Sequence, residues 1–384
     1  MNLVRRFFEL PSQSCFIFGP RGTGKSTWLA THLPEAYTIN LLNDLAYRTY
    51  QAQPERLLGV VRAQKDKKIF ILDEIQRVPT LLNSVHQLIE EDKQRQFIMT
   101  GSSARKLKHT GVNLLAGRAL VTHMHPFMAS ELGKRFALDQ TLKTGMIPLI
   151  VDATDDSRKS LEAYLTLYIR EEVQMEGLVR GIGGFARFLE MISFSHGSLL
   201  NVSNIAREAQ LSRKMVDNYI SILEDLLIAY RIPVFNKRAK RTPSVHPKFY
   251  FFDVGVYRRL RPSRVLDQRE EIYGAALEGL VAQHLKAWCD YSGEQTELYF
   301  WRTSSGVEVD FILYGEKYFY ALEVKAGANI HATDLRSLKT FHADYPECTP
   351  VALYGGNDRV EIDGILCLPV ENFLRQLRPK QWPE

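Results

Sequence analysis

The chain has 384 residues, 45% hydrophobic and 24% charged, the balance of a globular protein with room for two or three domains. Lysine and arginine outnumber aspartate and glutamate by 49 to 44, a mild basic bias that permits a nucleic-acid partner without requiring one. No stretch of about 18 apolar residues occurs, so no membrane span is expected. The opening MNLVRRFFEL lacks the apolar core and cleavage site of a signal peptide. Cys15, Cys289, Cys348 and Cys367 are scattered without metal spacing, as expected of reduced core thiols in a cytoplasmic protein.

Residues 15–27 read CFIFGPRGTGKST. A short apolar run, a buried strand by pattern, enters Gly19-x-x-x-x-Gly24-Lys25-Ser26, the complete phosphate-loop spacing. The glycines, Gly22 included, let consecutive N–H groups turn toward phosphate oxygens. The helix that follows presents its positive end to the same anion. Lys25 can reach the β- and γ-phosphates and the Ser26 hydroxyl can ligate Mg²⁺, while Arg21, Thr23 and Thr27 complete the expected loop. The pattern predicts nucleotide binding.

A second strand is expected over residues 36–42 (AYTINLL) and a third in KKIFILDE, residues 67–74. Four apolar residues in a row suit a parallel strand covered on both faces. Two carboxylates stand at its C-terminal end, where such sheets place ligands. Asp73 would hold Mg²⁺ and Glu74 would activate the attacking water. A fourth strand, residues 96–99, runs into Thr100-Gly101-Ser102-Ser103, which is either a γ-phosphate sensor or a plain Gly-Ser turn. LLAGR, residues 114–118, precedes another apolar strand; Arg118 is either an arginine finger, in its own subunit or a neighbour's, or an ordinary surface residue.

The ordered set GPRGTGKS, FILDEIQ, TGSSARKL, LLAGRAL and HPFMASEL resembles AAA-type ATPases of the archaeal-ATPase-like group. The resemblance covers about the first 130 residues. It implies a parallel five-stranded sheet with flanking helices and Mg-ATP roles for Lys25, Ser26, Asp73 and Glu74. It also implies a sensor role for the segment from Thr100 to Ser102 and a finger-like role for Arg118. Where that group often has Gly-Gly-x-Pro, this chain has Gly145-Met146-Ile147-Pro148.

Residues 151–245 read as a helical linker and a winged helix. An amphipathic helix is expected over residues 157–174, then a break at Gly181, Gly183 and Gly184, then a second helix over 185–195. Residues 201–232 suggest two helices around the turn Leu211-Ser212, with Ser212 as N-cap and a wing over 232–235. The first helix would bury Ile205, Ala206 and Ala209, the second Met215 or Val216, Tyr219, Ile220 and Leu223. Arg213, Lys214, Asp217 and Asn218 fall on the open face, and Lys237, Arg238, Lys240 and Arg241 form a basic strip after it. DNA is the partner this face would suit, although charged faces are often only solvated.

In the last third, a helix over residues 270–288 carries an apolar stripe of Leu277, Val281, Leu285 and Trp288. Glu278 lies at its edge, where a carboxylate needs a partner or a cation. Three strands are expected over 297–302, 306–314 and 317–325. Period-two counting places Val309 and Phe311 on one face of the middle strand, and Glu308, Asp310 and Ile312 on the other. Asp310 and Glu323, with Glu278, could gather round one divalent metal, Mg²⁺ or Mn²⁺, with Lys325 orienting the attacking water or stabilising developing phosphate charge, and Glu308 either an extra ligand or a solvated edge residue. VDFILYGEKYFYALEVKAG resembles the core of PD-(D/E)XK nucleases, and the C-terminal part resembles the domain of unknown function commonly fused to this ATPase group. The resemblance implies metal-dependent phosphodiester cleavage by a restriction-endonuclease-like α/β domain over residues 246–384, after an ATPase domain over 1–150. The same core also persists as a binding module without cleavage.

The leading expectation is thus an ATPase acting on DNA, with a possible homo-oligomer through a finger in trans. The alternatives are a nucleotide-dependent signalling switch that binds a protein partner, and a nuclease whose ATPase only regulates assembly.

Overall fold

The computed structural model describes residues 4–103, 115, 117–153, 156–169, 182–236, 246–263 and 267–383. Two compact units emerge: Phe8–His125 with Asp225–Leu227, and Met1–Phe7 with Pro126–Glu224 and Ile228–Glu384.

The smaller unit is an α/β layer. Strands β1 (Cys15–Phe18), β2 (Tyr37–Asn40), β3 (Ile69–Asp73), β4 (Gln96–Gly101) and β5 (Leu120–His123) line up in the order β2-β3-β4-β1-β5, every pair parallel. Helices α1 (Lys25–His32), α2 (Asp44–Ala52), α3 (Arg56–Ala63) and α4 (Leu81–Glu91) connect them. All four residues of β1 are buried, as the unbroken apolar run required. Phe16, Phe18, Phe70, Leu72, Phe97 and Met99 lock the sheet to Leu57, Val61, Leu82 and Val85 of α3 and α4. Helix α2 starts where the Asn43 side chain accepts the Ala46 N–H at 3.1 Å. β5 closes one edge, and its Leu120 and Val121 stay about half exposed.

The larger unit opens with α5 (Leu138–Thr144), α6 (Ile182–Ser193), β6 (Ser198–Leu199), α7 (Val202–Ala209) and α8 (Arg213–Asp225). A helix over Ser157–Ala163 starts at the Asp156 cap; its continuation past residue 169, expected to 174, lies outside the described residues. The expected glycine break is not seen at Gly183 and Gly184, which sit inside the first turn of α6, where an added Cβ on Gly183 or Gly184 would meet only side-chain atoms. α7 and α8 form the expected helix pair: Ser212 Oγ accepts the Met215 N–H at 3.3 Å, and Val216, Tyr219, Ile220 and Leu223 are buried. Of the two alternatives, Val216 takes the core position and Met215 is 42% exposed.

β7 (Ala229–Ile232) and β8 (Lys248–Phe251) join β6 in an antiparallel sheet of order β6-β8-β7. Of the residues expected as a wing, Ile232 ends β7 and the next three cross to the strand Glu297–Arg302. Phe235 N–H donates to Phe300 O at 2.6 Å, Phe300 N–H donates to Pro233 O at 3.1 Å, and the Phe235 ring packs between Tyr299, Tyr314, Phe319, Phe341 and Tyr345. Burying an aromatic ring outweighs leaving this stretch in water.

After α9 (Val254–Leu260), α10 (Arg269–Ser292) runs four residues beyond the expected end and stops at Gly293, φ 65°. Strands β9 (Glu297–Arg302), β10 (Glu308–Tyr314), β11 (Phe319–Lys325), β12 (Thr349–Tyr354), β13 (Val360–Ile362) and β14 (Ile365–Pro369) form a mixed sheet of order β13-β14-β12-β11-β10-β9, with α11 (Arg336–Asp344) and α12 (Val370–Gln376) against it. Between Val309 and Ile312 the β9–β10 register shifts. The irregularity breaks the period-two count, so Val309 and Ile312 share one core cluster instead of opposing each other.

Candidate functional site: a nucleotide cradle and a carboxylate cluster

At the C-terminal end of β1 the chain turns through residues 19–24 into α1. Gly22 (φ 82°) and Gly24 (φ 91°) take the left-handed conformation that glycine enters without strain. A Cβ on Gly19 would run into the Met124 carbonyl oxygen, so the main chain there admits no side chain. Thr23 Oγ1 donates to Pro20 O at 2.9 Å and fixes the turn. Lys25 Nζ, buried, donates to Gly19 O at 2.6 Å and Pro20 O at 3.2 Å. The parallel order β3-β4-β1 brings the ends of three strands beside this loop. Ser26 Oγ donates toward both Asp73 oxygens, at 3.1 and 3.0 Å. Thr100 Oγ1 donates to Asp73 Oδ1 and accepts the Glu74 N–H at 3.1 Å.

Glu74 itself is left-handed, φ 62°, a conformation that costs a non-glycine residue about 1 kcal/mol or more and clusters at functional sites. Its carboxylate accepts from Gln76 Nε2 and from Ser102 Oγ at 3.4 Å; Gln76 Nε2 also donates to Ser102 Oγ at 3.1 Å. Gln76 is buried, and its Oε1 has no hydrogen-bond partner. The sequence reading did not single out Gln76, although its place two residues after the paired carboxylates was the available signal. This constellation fits Mg-ATP: a hydroxyl and a carboxylate meet at one point, and a buried ammonium lies on the loop that cradles phosphates.

In the larger unit, a different set of acids meets. Lys248, at the start of β8 and 1% exposed, sends its ammonium to Glu308 Oε1 at 2.6 Å, Glu278 Oε1 at 3.0 Å and Asp310 Oδ1 at 3.3 Å. Tyr250, two residues along the same strand, donates to Glu278 Oε1 at 2.6 Å. Arg302 holds the other side of Glu308 at 2.6 Å, and the Val324 N–H donates to Asp310 Oδ2 at 2.9 Å. Glu323 accepts from Lys325 at 2.7 Å and from Ser337 at 3.0 Å. Burial alone would depress the Lys248 ammonium, but the carboxylates, Glu278 first, hold it protonated well above its ordinary range. Burial, reinforced by Asp310, pushes Glu278 and Glu323 up against the opposing pull of their lysines. Among the described residues no three His, Cys, Asp or Glu side chains form a metal-binding group. The sequence-derived ligands Glu278, Asp310 and Glu323 do not fit one divalent ion in this arrangement, because Lys248 occupies oxygens of Glu278 and Asp310, while Glu323 is held by Lys325 and Ser337. Lys248 went unread in the sequence; a lysine opening the apolar run KFYF was the one signal.

Comparison with known proteins adds three family matches. Residues 11–133 match the model of an AAA domain. This segment is an AAA-type ATPase domain. Residues 135–267 and 273–373 match two domains of unknown function, DUF8612 and DUF4143. No curated protein matches the chain. Among solved structures, the Aeropyrum pernix ORC2 protein in its ADP form is 12% identical, with a TM-score of 0.31 over 71% of this chain and 88% of that one. Domain III of the Thermotoga maritima replication initiation protein DnaA is 16% identical, with a TM-score of 0.25 over 44% and 80%. AMPPCP-bound DnaA from Aquifex aeolicus is 12% identical, with a TM-score of 0.27 over 56% and 82%. Likeness at this level carries no argument about function.

Within the AAA domain, Ser26, Asp73, Glu74, Thr100 and Ser102 come together as the sequence suggested, while Arg21 and Thr27 are exposed at the rim. Arg118 does not join them. It pairs with Glu90 of α4 and lines a cavity of about 630 Å³ with Ser12, Gln13, Ser14, Arg95 and Gln96. Those residues precede β1 and open β4, so Arg118 sits at the opposite end of the parallel sheet from the phosphate loop. In the larger unit Arg213, Lys214, Asp217 and Asn218 are exposed on α8. Lys237, Arg238, Lys240 and Arg241 lie outside the described residues.

Proposed function

We propose that the protein binds and hydrolyses Mg-ATP and acts on DNA through its α7–α8 helix pair. The observation that carries the ATP half is the convergence of Ser26, Asp73, Thr100 and Glu74 at three neighbouring strand ends. Mg²⁺, held by Ser26 and Asp73, would neutralise charge on the β- and γ-phosphates. The loop from Gly19 to Thr27 would bind the phosphates through its N–H groups, with Lys25 leaving the Gly19 and Pro20 carbonyls to meet them. Glu74, oriented by Gln76 and Ser102, would take a proton from the attacking water. Thr100 would relay the presence of the γ-phosphate to Asp73 and the Glu74 main chain. Arg118, remote from its own subunit's loop, would serve as a finger only for a neighbouring subunit, which implies an oligomer.

For DNA, Arg213, Lys214 and Asn218 on the exposed start of α8 suit phosphate and base-edge contacts, and Lys237, Arg238, Lys240 and Arg241 follow later in the sequence as a basic strip. Exposed Met215 on the same helix favours the second reading, a nucleotide switch whose helix pair grips a protein. We read the C-terminal cluster of Asp310, Glu323, Lys325 and Glu278 as part of a binding platform rather than a cleaving site.

The test is ATP turnover with and without duplex, single-stranded and branched DNA over a range of salt. DNA-stimulated turnover and an affinity that falls with salt are expected. Turnover indifferent to every DNA, with no binding at low salt, would leave the protein-binding switch standing.

A further inference from the structure

Three carboxylates around one buried ammonium is an uncommon arrangement of charge. A lysine ammonium has three N–H donors and no acceptor. Here they face Glu278, Glu308 and Asp310, one on α10 and two on β10, at 3.0, 2.6 and 3.3 Å. Each carboxylate carries a further bond: Glu308 to Arg302, Asp310 to the Val324 N–H, and the Glu278 oxygen that meets Lys248 also to Tyr250. Lys248 arrives from β8, ahead of the segment that carries the acids, and Tyr250 on the same face of that strand braces the same Glu278. The lysine stem is enclosed as well: the ammonium lies 5.8 Å from the Phe300 ring centroid.

We propose that the Lys248 ammonium is the resident cation of this cluster, standing where a divalent metal would otherwise sit. The C-terminal sheet thereby keeps its acids without holding a metal, and phosphodiester hydrolysis by metal-activated water does not occur there. This rests on the reading of the C-terminal part as a binding platform. Removing the lysine's charge should convert the cluster into a divalent-cation site, since oxygen donors from carboxylates suit Mg²⁺ and Mn²⁺.

The experiment counts Mn²⁺ bound per chain, from the loss of the free-ion electron paramagnetic resonance signal. It uses the nucleotide-free full chain carrying Asp73→Asn, so that the AAA domain contributes no ion. Four versions are compared: that background alone, with Asp310→Asn, with Lys248→Met, and with both. The background should hold no ion that depends on Asp310. Adding Lys248→Met should bring about one ion per chain, lost again with Asp310→Asn, and Mn²⁺ should raise the melting temperature of the Lys248→Met chain only. An Asp310-dependent ion in the background chain overturns the proposal, and that arm needs no folded Lys248 variant. A folded Lys248→Met chain, checked by circular dichroism, that gains no ion also overturns it. DNA-stimulated ATP turnover of the unmodified chain is read separately, so failure of the ATPase reading leaves the metal count as an independent measure of what Lys248 does.

Discussion

Two buried lysines in this chain keep opposite company. Lys25 rests on the Gly19 and Pro20 carbonyls, neutral dipoles that a phosphate can outbid. Lys248 rests on Glu278, Glu308 and Asp310, carboxylates that an incoming anion would have to displace from charge-assisted bonds. The same contrast holds for the acids: Glu74 is bonded to uncharged amide and hydroxyl groups, whereas Glu278 and Asp310 are bound to a cation.

That contrast can be broken at several places. The largest effect expected is in Glu74→Gln, which should lower ATP turnover by about 10²–10⁴-fold while nucleotide affinity, measured by titration calorimetry, stays near wild type. Next comes Gln76→Ala. If Gln76 only positions Glu74, steady-state kinetics should show turnover down by about 10- to 100-fold with little change in KM. An unchanged rate would mean that Ser102 alone suffices. Lys248→Met leaves three carboxylates facing one another and should cost about 3–5 kcal/mol in urea unfolding, with no direct effect on nucleotide affinity. A loss of nucleotide binding in a folded variant would blur the distinction drawn between the two lysines.

The smallest effect concerns pH. His284 is neutral and fully used: Nδ1–H donates to Leu280 O at 2.8 Å and Nε2 accepts the Ala129 N–H at 2.9 Å. Burial pulls it from 6.5 to about 4, so the unfolded chain takes up the proton first. Its contribution is complete above pH 6.5 and is lost as pH falls toward 4. His196, buried and depressed to about 3, leans the same way. Unfolding free energies at several pH values should therefore slope less steeply below 6.5 in His284→Gln, by at most about 1.4 kcal/mol per pH unit.

The nucleotide cradle was legible because its chemistry is local: the phosphate loop is one contiguous stretch, and the acids end an unbroken apolar strand that could only be central. Thr100 and Ser102 could be placed beside it for the same reason, as hydroxyls at the end of the next strand, though their pattern fitted a plain turn equally well. The C-terminal cluster was half legible. Glu278 announced that it needed a partner, but Lys248 lies 30 residues upstream in a strand whose pattern looked merely apolar, and no spacing rule links the two. The face assignment on β10 failed at a register shift, which period-two counting cannot foresee. Arg118 was ambiguous because spacing carries no information about which end of a sheet a loop occupies.

The crossing of residues 233–235 onto β9 governs how the polypeptide can be taken apart. Phe235 is a keystone lent to the C-terminal sheet by chain that precedes it, and main-chain bonds to Phe300 fix it on both sides. A fragment begun at residue 246 would lack that ring and open a void of the kind that costs about 3–5 kcal/mol when a buried phenylalanine is truncated. A fragment begun before Pro233 keeps the keystone in place. Exchange of helix pairs between such proteins, by an engineer or by recombination, would find its seam upstream of β7 and not at the border between the two domains of unknown function.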